Sequence, residues 1–117
     1  MEGAKINKIH FRDSGLRHVD FDATNIGALN ADKCEFLKPF FHRGFIAEFS
    51  LTNSTIEEAR GKGFKADMVV WDNVTLDGKI DLTNAQVKDF RPSRLKRGPR
   101  LQLITTGSNM RIDLMSR

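Results

Sequence analysis

Imidazole, thiol, hydroxyl and carboxylate groups are where chemistry would be sought, and this 117-residue chain offers three histidines and one cysteine among them. An imidazole titrates near neutral pH and serves as a base or a metal ligand. His10, His18 and His42 are not spaced as HExxH, however, and Cys34 has no CxxC partner. Gly61-Lys62-Gly63 is too short for a phosphate loop, and no nucleophile elbow is present. Asp67, Asp72 and Asp77 recur at a spacing of five residues. Carboxylates divide into acid and base only when they share one site, so everything depends on the elements that hold them.

Those elements follow one rule over most of the chain. Every fifth residue from Phe11 to Leu76 is apolar except Gly61, and the residues two places earlier, Ile9 through Val74, include no charge. A helix repeats its apolar face every ~3.6 residues and a strand every ~2.0. Period five with a partner two places back fits neither as a long element. It fits three extended residues, out between two in, followed by a two-residue corner. Four such sides close a square coil of twenty residues, and stacked coils build one continuous core. Phe11 then stacks with Ala31, Leu51 and Trp71, Leu16 with Phe36, Ile56 and Leu76, and Ile26 with Ile46, Ala66 and Val87. Phe21 stacks with Phe41 and Gly61, where the glycine makes room below the ring. At Asp77-Gly78 the register slips by one residue, which predicts a bulged corner. On this geometry the three histidines and the three aspartates fall on different sides, Ser14 and Ser54 point inward to bond backbone, and neither a metal site nor a cofactor site is expected.

The repeat units read VDFDA, TNIGA, LNADK, CEFLK, FKADM, IDLTN and AQVKD. In these the chain resembles the pentapeptide-repeat proteins, whose motif is Ala-(Asp/Asn)-Leu-Xaa-Xaa, over residues 9–92. The resemblance implies an all-β, right-handed quadrilateral β-helix, here of about four coils. Pro39, Gly44 and Gly61 depart from the family's inward residues, and Phe40 and Phe45 stand where Asp or Asn is usual. The organisation expected is a β-helix over residues 1–92 and a basic extension over 93–117.

Charge divides along the same line. Residues 1–90 hold twelve Lys/Arg against fourteen Asp/Glu, a net −2, whereas residues 91–117 hold seven against one, a net +6. RPSRLKRGPR reads as a linker or exposed extension. After it, LQLITT and MRIDLM alternate around Gly-Ser-Asn, which predicts a β-hairpin able to cap the last coil or to form a homodimer contact. No apolar run approaches the ~18 residues of a membrane span, and no signal-peptide pattern opens the chain. Cys34 lies on an inward position as a buried thiol, compatible with a reducing cytosol.

Two surface features remain as binding candidates. Phe40 and Phe45 occupy outward positions of adjacent sides, with Leu37 at a corner and Arg43 close by, a candidate patch for a protein partner. Arg94, Lys96, Arg97 and Arg100, following Arg91, form a candidate site for an anion or an acidic partner. No aromatic interleaves them, so nucleic acid is not the expected partner. The expected function is a non-catalytic protein-interaction module, cytoplasmic and, by the resemblance, bacterial. The resemblance supplies two alternatives: a dimeric DNA mimic that occupies a topoisomerase, and a secreted effector that binds a host protein.

Overall fold

A computed structural model of the chain describes residues 5–110 and 112. Among these the chain has no helix and winds as a parallel β-solenoid. Strands β1 (Lys5–Arg12), β3 (Asn25–Asp32), β5 (Phe45–Thr52), β7 (Lys65–Asp72) and β10 (Gln86–Ser93) stack into one sheet. Each bends at a corner between inward residues such as Ile26 and Leu29, so this sheet covers two sides. Strands β2 (Gly15–Arg17), β4 (Glu35–Leu37), β6 (Thr55–Glu57), β8 (Thr75–Asp77) and β11 (Lys96–Arg97) form the third side. The fourth is held by single bridges from Asp20 to Phe40, Arg60 and Asp81, and by β9 (Lys79–Asp81) paired with β12 (Gln102–Ile104).

The core follows the predicted columns. Phe11 pairs in register with Ala31, which pairs with Leu51 and then Trp71. Leu51 is 0 % exposed and Trp71 3 %. Inward aromatics pack across coils, with Phe21 stacked on Phe41 at 5.6 Å and Phe49 edge-on to Trp71 at 5.8 Å. Gly61 leaves a small void of about 20 Å³ bordered by Phe41, Trp71 and Leu82. Along one inward column, Ser14, Cys34 and Ser54 each bond the carbonyl two residues back, on Arg12, Asp32 and Thr52.

The corners depend on left-handed backbone. Eleven non-glycine residues, none of them β-branched, have φ between 51° and 60°, including His18, Lys38, Arg43, Asn53 and Arg94. Each costs roughly 1–2 kcal/mol for an L-residue. The stacked coils offset that cost because the corner amides bond the coil above: Lys38 N–H donates to Glu57 O at 2.8 Å and Asn53 N–H to Asp72 O at 2.9 Å.

The bulged corner is where the slip placed it. Paired residues lie twenty apart as far as Glu57 with Asp77, and 21 apart once Gly78 falls between them, as for Arg60 with Asp81 and Lys65 with Gln86. Gly78 takes φ +68°, and its N–H donates to Asp77 Oδ1 at 2.9 Å.

Beyond Pro92 the structure corrects the sequence reading. The winding continues, so the two larger sheets hold five strands each and the solenoid about five coils instead of four. Pro92 pairs with Trp71, Leu95 is buried, and Lys96–Arg97 pairs parallel with β8. Gln102–Ile104 is not a hairpin arm. It pairs parallel with Lys79–Asp81, 23 residues earlier, because two further residues are taken up at the corner around Pro99 and Arg100. The Gly-Ser-Asn stretch belongs to a corner in which Ser108 N–H donates to Thr105 O at 3.0 Å. The proposed second arm, with Leu114, falls mostly outside the described residues. The terminal coil closes its own edge: Asn109 donates through Nδ2 to Val87 O and accepts Val87 N–H on Oδ1, both at 2.9 Å. Met110 is buried beside the void.

Candidate interaction face

The fourth side is built from an outward column in which Asp20, Phe40, Arg60 and Asp81 follow one another coil by coil. Its inward neighbours Pro39, Ala59 and Ile80 are buried, which holds the column rigid. Phe40 therefore points away from the core, half-buried by its surface neighbours. The guanidinium carbon of Arg60 lies 5.6 Å from the Phe40 ring centroid, a cation–π contact. The imidazole of His42 lies parallel to that ring within 6°, centroids 6.4 Å apart.

Around this pair is a surface depression of about 530 Å³ that also takes in His18, Lys38, Glu58, Lys62, Lys79 and Asp81. Its carboxylates are occupied. Glu58 Oε2 accepts the backbone N–H of Lys79 at 2.6 Å. Asp81 Oδ1 accepts the hydroxyl of Thr83 at 2.6 Å and its N–H at 3.0 Å. The Thr83 hydroxyl is the chief reason that Asp81 titrates below the ordinary aspartate value of 3.8, with Lys79 and His42 helping against partial burial. Its cations have no carboxylate partner: among the described residues Lys38, Arg60, Lys62 and Lys79 form no ion pair. Four cations against two carboxylates leave the depression at +2, with two histidines in addition.

The other predicted contact residues are dispersed. Phe45 begins β5 on the neighbouring side, beyond the corner closed by Gly44 N–H to Phe41 O, and lines a different hollow with Lys65, Asp67 and Lys88. Leu37 ends β4 beside Glu57, Asp77 and Arg100. Arg43 sits at the corner with Lys62 and Asn84. A square coil thus turns each of these side chains in its own direction. The basic residues from Arg91 onward are spread around the last coil: Arg91 pairs with Asp89 at 2.9 Å, Arg94 grips Asp72 at 2.8 Å, and Lys96 and Arg97 are exposed on β11. Arg100 donates its N–H to Asp77 Oδ1 at 2.9 Å. His18 and His42 share the depression whereas His10 lies on β1, and no three His, Cys, Asp or Glu among the described residues are placed to hold a metal.

Arg60, Lys62 and Lys79 escaped the linear reading. Their signal was the twenty-residue stacking, which sets Arg60 directly over Phe40.

The fold defines a parallel β-solenoid repeat protein. None of the protein-family models, curated proteins or solved structures compared with the chain matches it. Among the described residues, no helix is long and apolar enough to cross a membrane.

Proposed function

We propose that the chain is a pentapeptide-repeat β-helix working as a non-catalytic protein-interaction module in a bacterial cytoplasm, with the Phe40 side as its contact surface. The observation that carries this reading is Phe40 itself. It stands outward on a rigid β-face, in contact with Arg60 and surrounded by unpaired lysines. Aromatic and arginine side chains on a preorganised surface are the residues from which binding hot spots are made. Such a role needs no reacting group, only a surface that keeps its shape, and a solenoid supplies that.

The DNA-mimic reading asks for a row of free carboxylates, because duplex DNA carries one charge per ~1.7 Å of axis. Here Asp67 faces Lys88 at 3.5 Å and Asp72 faces Arg94 at 2.8 Å, which ranks the interaction module ahead. A secreted effector acting by binding alone would use the same surface.

The test is affinity capture with the wild-type chain and with Phe40→Ser, followed by calorimetric titration of whatever is retained. A partner held by the wild type and lost by a Phe40→Ser protein of unchanged melting temperature is the expected result. Equal retention by both proteins overturns the assignment of this face.

A further inference from the structure

Resting on the reading of the Phe40 side as a protein-contact surface, we infer that its partner presents a short, extended acidic segment, with an apolar or aromatic residue between carboxylates. Three features of the depression lead there. The first is charge: Lys38, Arg60, Lys62 and Lys79 form no ion pair among the described residues, while Glu58 and Asp81 are held by the protein's own N–H and hydroxyl groups. Within the depression cations therefore outnumber carboxylates, with Asp20 beyond it in the outward column and Asp22 facing His42 at 3.9 Å. The second is the aromatic surface of Phe40 and His42, parallel within 6°, which offers an apolar platform between the cations.

The third feature sets the length. Along the solenoid axis the outward column runs Asp20, Phe40, Arg60, Asp81, with acid at both ends and aromatic plus cation between. Coils stack at about 4.8 Å, so the favourable stretch is roughly 10 Å tall, the reach of about three extended residues. A longer polyanion laid on this side would meet Asp20 and Asp81. A nucleic-acid duplex is disfavoured by that arrangement, and a short acidic peptide is accommodated. Lysines on successive coils reach the carboxylates as flexible point charges, and the contact weakens as salt rises.

The probes are the capped tripeptides Glu-Phe-Glu and Gln-Phe-Gln, inorganic phosphate and a short DNA duplex, each titrated into the ¹⁵N-labelled full chain. The acidic tripeptide is expected to shift amides of residues 38–42, 58–62 and 79–81, and to bind about tenfold more tightly than its neutral analogue. An Arg60→Gln/Lys62→Gln/Lys79→Gln protein, shown folded by its amide spectrum, is expected to lose that difference. Equal binding of the two tripeptides overturns the inference, as do shifts centred on residues 91–100 or tighter binding of phosphate or duplex. Should the tripeptide fail while Phe40-dependent capture persists, the acidic segment is wrong and the interaction face stands. Should the tripeptide bind while Phe40→Ser retains every captured protein, the acidic site stands and the assignment of a protein partner to this face falls.

Discussion

Ser54 is a buried hydroxyl that both gives and takes a hydrogen bond. Its hydroxyl donates to Thr52 O at 2.8 Å and accepts Cys34 N–H at 3.2 Å from the neighbouring coil. Ser54→Ala leaves that buried amide without an acceptor and is expected to cost about 1–3 kcal/mol in urea unfolding. Asp81 gives the protein a response to acid. Its carboxyl titrates below 3.8 because the charged form is bonded to Thr83 and lies near Lys79 and His42. A lowered folded value stabilises the protein above the unfolded pKa, and that contribution disappears as pH falls through the folded value. Asp81→Asn is therefore expected to be less stable than wild type at pH 7 and equal to it near pH ~2. A difference that persists in acid would show that Asp81 acts by packing and not by charge.

At the scale of elements, the corners decide where the coil can lengthen. Gly78 has φ +68°, and a Cβ there would collide with the Glu58 carboxylate that caps Lys79. Gly78→Ala is expected to lower stability by about 1–3 kcal/mol. Gly61 is a different case, because it has no positive φ and borders the void beneath Phe41. Its added Cβ would press on the end of the Leu82 side chain at 3.1 Å and make ordinary contact with Asp81 O at 3.5 Å and Phe64 Cβ at 3.7 Å. Gly61→Ala is expected to stabilise by about 0.4–1 kcal/mol through the unfolded chain, read as a small rise in melting temperature.

At the scale of the whole molecule, stability is shared between neighbouring coils. Leu51 is 0 % exposed in the middle coil, so Leu51→Asp puts an unpaired charge in a dry core and is expected to abolish cooperative unfolding. The last coil protects the one before it. A chain ending at Pro92 loses the buried Leu95, Leu101 and Met110 and bares the edges of β8 and β9. Sedimentation equilibrium beside the full chain is expected to show the truncated protein self-associating through that edge. A truncated protein that stayed monomeric with its stability intact would mean that the last coil seals nothing.

The side-chain period of the amino-acid sequence was enough, alone, to determine the solenoid, its columns and the bulge at Gly78. An inward position repeated every five residues has only one economical way to be buried, and a one-residue slip is visible when the ladders resume on either side of it. What lay after Pro92 was not legible in that way. Two extra residues at Pro99 and Arg100 broke the period, and the alternation of Leu101, Leu103 and Thr105 is shared by a hairpin arm and by one side of a coil. Only the parallel pairing with Lys79–Asp81 separated them. The candidate site divided likewise. Phe40 was legible as an outward aromatic, because the ladder fixed which residues face the core. That it meets Arg60 and His42, and stands apart from Phe45, was decided by coil stacking and by the turn of the corner, since charge and aromatic surface act through space and not along the chain.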